Sequence, residues 1–172
     1  MQRGMNAMGL SEDMERVALQ ERALQLPHLD AHLAWDLGVS LRTMAVEREL
    51  PVVIDVRRFG QPLFYTALEG TKPDNVEWVR RKSNVVARFH TSSYAVGLKL
   101  KQKNESLTEQ QGLPLFDYAT HGGSFPLTVT GAGVVGSVTV SGLPQRADHE
   151  LVVEALCGLL GLDYADFRLP PE

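Results

Sequence analysis

HGGSFPLTVTGAGVVGSVTVSGLPQ, residues 121–145, is the stretch on which the fold turns. Its apolar residues fall in two runs, 125–130 and 134–141, separated by Gly131-Ala132-Gly133. Glycine adopts the positive backbone angles that a tight hairpin demands, so the stretch predicts two antiparallel strands joined at that tripeptide. Gly136, inside the second run, predicts close backbone packing or a bulge. The same glycines do not compose a nucleotide site. The GxxxxGK[ST] order is absent, no lysine stands between Gly122 and Gly142, and Gly131, Gly133 and Gly136, although spaced as GxGxxG, run into the second apolar run rather than into the helix that a dinucleotide fold requires. Gly122 and Gly123, paired before Ser124, form either a simple turn or a run of backbone N–H donors for an anion.

Working outward, the pattern Ala34, Leu37, Leu41 and Ala45 predicts a helix over residues 29–48, and Pro51 ends it. Val52, Val53, Ile54 and Val56 predict a strand covered on at least one face. Residues 57–62 read as a turn and 63–68 as the hairpin partner. A second helix is expected over 76–89, with Trp78, Val85 and Phe89 as its apolar stripe, capped by Asp74 with Glu77 or by Thr71. Alternation of Tyr94, Val96, Leu98 and Leu100 predicts a further strand over 93–100. Residues 147–160 read as a third helix, and 11–26 as a short one ahead of Pro27. About five strands and at least three helices make one α+β domain, an antiparallel sheet covered by helices. Residues 1–28 form an N-terminal extension, 29–169 the domain and 170–172 a tail.

The 172 residues carry 17 basic and 21 acidic side chains, a formal net charge of -4, which argues against a general nucleic-acid surface. No segment approaches the ~20 apolar residues of a membrane span, so no membrane partner is expected. The lone Cys157 has no disulfide partner; it reads as a small buried hydrophobe in a reducing, cytoplasmic protein.

Chemistry rests on scattered residues. Arg57 and Arg58 follow the first long strand, and Arg80, Arg81 and Lys82 cluster on the second helix; their forks of donors suit carboxylate or phosphate if the fold brings them together, and otherwise form a solvated face. Asp55 interrupts an apolar strand and is placed either at solvent or under an arginine. His121 is the preferred functional histidine because it precedes Gly122-Gly123-Ser124. His149 has the spacing of a core-edge residue, and His28 and His32, four apart, are poor evidence for a metal pair because the preceding Pro27 disfavours placing both well inside one helix. Ser124 or Ser141, His121 or His149, and Asp148 satisfy the composition of a hydrolytic triad, without a GxSxG elbow.

The ordered set Asp55-Val56-Arg57-Arg58, Pro73-Asp74-Asn75-Val76-Glu77-Trp78-Val79-Arg80-Arg81-Lys82, His121-Gly122-Gly123-Ser124-Phe125-Pro126 and Ser141-Gly142-Leu143-Pro144-Gln145 resembles a little-characterised branch of the haem-degrading-domain family. The resemblance spans residues 29 to about 160 and implies a profilin-like sheet with flanking helices, a cytoplasmic homo-oligomer, and haem or another small anionic molecule as ligand. Its matching residues are Asp55, Arg57, Asn75, Trp78, Arg80, Arg81, Lys82, His121, Gly122, Gly123, Ser124 and Gln145. An anion-binding oligomer is the first expectation, a haem-associated oxidative enzyme the second, and a structural interaction module without turnover the third.

Overall fold

The computed structural model describes residues 7–107 and 111–171. Its chain order is α1 (Ala7–Ala23), β1 (Gln25–Leu26), α2 (Ala31–Glu47), β2 (Val53–Arg58), β3 (Gln61–Ala67), α3 (Pro73–Phe89), α4 (Ser93–Lys103), β4 (Ser124–Val129), β5 (Gly133–Ser141) and α5 (Gln145–Leu160). Single 3-10 turns lie at Leu115–Asp117 and Tyr164–Asp166.

The five strands form one sheet in the order β1-β4-β5-β2-β3. The expected β4–β5 hairpin forms, and Gly136 lies so close to β2 that an added Cβ would stand 2.1 Å from the Arg57 carbonyl oxygen. Two expectations are corrected. The sheet is mixed, because β1 runs parallel to β4 through Gln25↔Thr128 and Leu26↔Val129. The fifth strand is this short β1, and residues 93–100 lie in helix α4.

That segment is ambiguous by pattern alone, since a short apolar run fits either period. Its ends decide it. Ser92 accepts from Ala95 N at 3.1 Å as an N-cap, and Asn104 closes the helix in the left-handed conformation. Tyr94, Ala95 and Leu98 then pack with Val17 of α1 and Leu169. The α3 cap also differs from expectation: Asn75 Oδ1 accepts from Lys72 N at 2.8 Å, while the Thr71 hydroxyl goes to the Leu68 carbonyl.

Strand alternation divides the sheet's two faces. Ile54, Val56, Phe125, Leu127, Val138 and Val140 meet Leu37 and Leu41 of α2 and Val152 and Leu156 of α5 in the main core. Each such fully buried side chain contributes ~1.5–3 kcal/mol. Cys157 joins this core, where burial pushes its thiol up to about 11. The opposite face, under α3, is polar: Asp55, Ser124, Ser137, Thr139 and Ser141 are all buried there. The Ser124 and Thr139 hydroxyls share a 2.8 Å hydrogen bond across their register pair.

Helix α1 is tied to the body by polar contacts. Asp13 accepts from Tyr94 Oη at 2.8 Å and from Arg146 at 2.6 Å, and Glu21 accepts from Ser92 N at 2.7 Å. Gln20 Nε2 donates to the Phe167 carbonyl at 2.7 Å, so its Oε1 is the acceptor for His149 Nε2–H at 2.8 Å. His149 is fully buried beside Tyr94 and Phe125, and burial lowers its pKa to about 3.

Candidate functional site

Helix α3 advances about 100° per residue, so its three consecutive cations leave in different directions. Arg80 bonds Glu77 at 2.9 Å and Asp117 at 2.7 Å. Arg81 places its guanidinium 5.2 Å from the Trp78 ring centroid and donates to the Tyr118 carbonyl at 3.4 Å. Lys82 turns inward and is only 3% exposed. Its Nζ donates to Asp148 Oδ2 at 2.8 Å and to the Val140 carbonyl at 3.3 Å.

Asp148 stands in the first turn of α5, where a carboxylate also favours the helix dipole. Its second oxygen accepts from Leu143 N at 2.9 Å. Burial pulls the Lys82 ammonium below its ordinary range and pushes the Asp148 carboxyl above its own, each against the attraction of the other's charge.

A cleft of about 210 Å³ opens over this pair, lined by Asn75, Trp78, Lys82, His121, Leu143 and Gln145 among others. Trp78 directs its indole N–H to Asp74 at 2.9 Å and meets His121 edge to face, with centroids 5.0 Å apart. Burial first, then the charges of Lys82 and Arg81, lower the His121 pKa and keep its imidazole neutral at pH 7. A second hollow of about 150 Å³ shares His121 and Gln145 with the cleft and adds Tyr94, Lys101 and Thr120.

The glycine pair has a steric role. A Cβ on Gly122 would stand 2.3 Å from the Gln145 carbonyl oxygen. On Gly123, at φ +129°, it would meet the Val140 carbonyl oxygen at 2.3 Å and Lys82 Nζ at 2.8 Å. The backbone therefore runs flush against the cleft floor. Gly122 N–H is not left for an anion; it donates to Gln145 Oε1 at 3.2 Å.

Those bonds orient the two cleft amides. Asn75 and Gln145 each spend the carbonyl oxygen on a backbone N–H, so each NH₂ remains a donor. Lys82 has two described acceptors for three ammonium hydrogens. The cleft is thus rich in unspent donors, while its one carboxylate is engaged by Lys82 and Leu143.

Of the twelve residues singled out from sequence, Asn75, Trp78, Lys82, His121 and Gln145 line this cleft, and Gly122 and Gly123 border it. Arg81 stacks on Trp78, and Ser124 is buried in the sheet against Ser93 and Thr139. Arg80 is held by its two acidic partners. Asp55 and Arg57 form a bidentate pair at 2.6 and 2.8 Å. Arg57 lines a separate hollow of about 180 Å³ with Phe59, Asn84 and His90, toward the other end of α3 and β5. Asp148 joins the site although the sequence offered it only as a triad member. Its signal was position: an acid three residues into the helix that follows Ser141-Gly142-Leu143-Pro144.

The mixed sheet, helices on both faces and a small polar cleft at the start of α5 define an α+β domain of the profilin-like kind. The chain belongs to the HbpS-like family, whose model, described as "Haem degrading protein HbpS-like", matches residues 29–157. It is 66% identical over 163 residues to a UPF0303 protein of Acidobacterium capsulatum, covering 95% of this chain and 99% of that one. A UPF0303 protein of Paraburkholderia phymatum is 60% identical, with 94% and 98% covered. Among solved structures, the Ybr137w protein superposes with a TM-score of 0.77 at 30% identity, covering 86% of this chain and 87% of that one. HbpS shares the fold at a TM-score of 0.62 and 21% identity, with 80% and 93% covered. A PduOC:Heme complex shares it at 0.65 and 16%, with 79% and 97% covered.

Proposed function

We propose that this chain is a binding module for a small anion, most simply a carboxylate, held in the cleft over Lys82 and Asp148. The observation that carries this reading is the donor surplus: the third ammonium hydrogen of Lys82 and the NH₂ groups of Asn75 and Gln145 all belong to side chains lining one small cleft. An oxyanion supplies acceptors to several such donors at once. Trp78 offers a flat apolar wall for the rest of the molecule. The volume of about 210 Å³ falls below the roughly 300–1,000 Å³ of pockets for drug-sized ligands, which favours a molecule of a few heavy atoms.

Haem is the second reading, supported by the family description, by the relative whose structure is a haem complex, and by the neutral, partly exposed imidazole of His121. The cleft of one chain does not fit a tetrapyrrole, whose macrocycle exceeds that volume, so no oxidative step is assigned here. Self-association belongs to the proposal too. Its support is exposed aromatic side chains, with Phe116 90%, Phe59 80% and Trp35 58% exposed; light scattering under dilution tests it.

Calorimetric titration with acetate, pyruvate, phosphate and haem tests the binding reading. Gln145→Leu removes one charge-assisted donor, worth ~1.5–3 kcal/mol, and is expected to weaken carboxylate binding by about tenfold or more. Unchanged affinity in that variant, or haem binding without any small-acid binding, overturns the reading.

A further inference from the structure

We infer that Lys82 is an amine nucleophile, and that the ligand class of this cleft is a small carboxylic acid bearing an aldehyde or ketone, captured as an imine on Lys82 Nζ. The inference rests on the carboxylate-binding reading above and adds to it a covalent step.

Lys82 differs from the other lysines. Lys72, Lys99, Lys101 and Lys103 are exposed, whereas Lys82 crosses from α3 to the sheet and ends on the wall of the cleft. A lysine is a nucleophile only as the neutral amine, which demands a nearby base and a site poor in water. Both are present. Asp148 Oδ2 is 2.8 Å from Nζ, in line to receive a proton, and each side chain is only a few per cent exposed. Burial disfavours both charges, so it assists transfer from the ammonium to the carboxylate. The Val140 carbonyl holds the amine from a second side, and Gly123 keeps the facing backbone clear of it. Asn75 and Gln145 provide donors for the acid group, which positions an adjacent carbonyl carbon in the same small volume.

The step balances with water as its sole by-product. Asp148 takes one proton from the Lys82 ammonium. The nitrogen lone pair forms the N–C bond while the carbonyl π pair moves to oxygen, which is protonated by a second nitrogen-bound hydrogen as the carbinolamine forms. Asp148 returns its proton to the hydroxyl, water departs, and the C=N bond forms as a protonated imine. No oxidant, reductant or metal is consumed.

The test uses the full chain with pyruvate or acetaldehyde and sodium cyanoborohydride, which reduces an imine to a stable secondary amine. Intact mass and peptide mapping then locate the adduct. The expected result is one pyruvate-derived adduct, on Lys82, formed on the order of tenfold or more faster than on any other lysine and suppressed by excess acetate. Lys82→Arg is expected to abolish it. Because the map is made on the unaltered protein, poor folding of that variant does not affect the decision. Label spread over Lys72, Lys99, Lys101 and Lys103 with Lys82 spared overturns the inference. Acetate and pyruvate binding by calorimetry without a Lys82 adduct overturns the imine and leaves the anion reading intact; neither binding nor adduct overturns both.

Discussion

Asp148→Asn strips the charge from the partner of a buried ammonium while keeping an amide oxygen for Leu143 N–H. In the parent protein Lys82, 3% exposed, has that carboxylate at 2.8 Å and one carbonyl oxygen at 3.3 Å. Breaking a buried pair from one side costs ~3–5 kcal/mol, chiefly because the surviving charge is left without compensation. With its oxygen kept for Leu143 N–H, the amide turns its NH₂ toward the ammonium, and the expected loss is at least ~3 kcal/mol at pH 7. At roughly 2–4 °C per kcal/mol for a chain of this size, the midpoint of thermal unfolding falls by about 6–12 °C or more. The loss also has a pH signature. Burial already lowers the Lys82 pKa, and removing Asp148 removes the charge that opposed the shift. Between that lowered folded pKa and the unfolded value of roughly 10.4, the unfolded variant binds more protons than the folded one, so its stability rises with pH relative to the parent. Urea unfolding followed by circular dichroism from pH 7 to pH 10 measures both effects. A deficit below ~1 kcal/mol, or one that does not narrow toward pH 10, refutes the description of Lys82 as a buried cation held by Asp148.

His149, neutral in the fold with its pKa near 3, makes the protein acid-sensitive: below the unfolded value of roughly 6.5 only the unfolded chain takes up this proton, and stability falls by up to ~1.4 kcal/mol per pH unit. His149→Gln is expected to flatten the urea midpoint between pH 6.5 and pH 4 by about one proton's worth, and an unchanged slope counts against it. Gly123→Ala drives a methyl carbon toward the Val140 carbonyl and Lys82 Nζ at an unfavourable φ, so a loss of ~2 kcal/mol or more is expected in the same assay, and a neutral result contradicts the close approach. Arg57→Ala leaves the fully buried Asp55 without its guanidinium; it is expected to cost ~3 kcal/mol of stability while carboxylate affinity at the cleft stays unchanged. Loss of affinity there with the fold intact would place the anion at the wrong end of α3.

The β4–β5 hairpin was legible because its apolar runs and glycines agree with one another, and so were α2, α3 and α5 because their apolar spacing is sustained. Residues 93–100 were not. Tyr94, Val96, Leu98 and Leu100 alternate as a strand would, and the Ser92 cap that selects a helix outweighs that pattern only once α1 and Leu169 are there to receive Tyr94 and Leu98. β1 is two residues long and carries no periodic signal; its parallel pairing exists because α1 delivers the chain to the β4 edge. At the cleft, His121 was found through its place before Gly122-Gly123-Ser124, and Asn75, Trp78 and Gln145 through a resemblance. The basic run Arg80-Arg81-Lys82 read as one cationic surface, whereas helical rotation sends only Lys82 inward. Its partner Asp148 lies 66 residues away, a pairing that no local pattern encodes.

The most direct test of a donor-lined anion cleft is nuclear magnetic resonance of the side-chain N–H groups during titration with acetate. The Asn75 and Gln145 NH₂ signals, the Trp78 indole and the Lys82 ammonium are expected to shift together along one saturable curve, with Arg57 Nε unmoved. Saturable shifts at Arg57 with the four cleft groups silent, or no saturable shift at any of them, would contradict it.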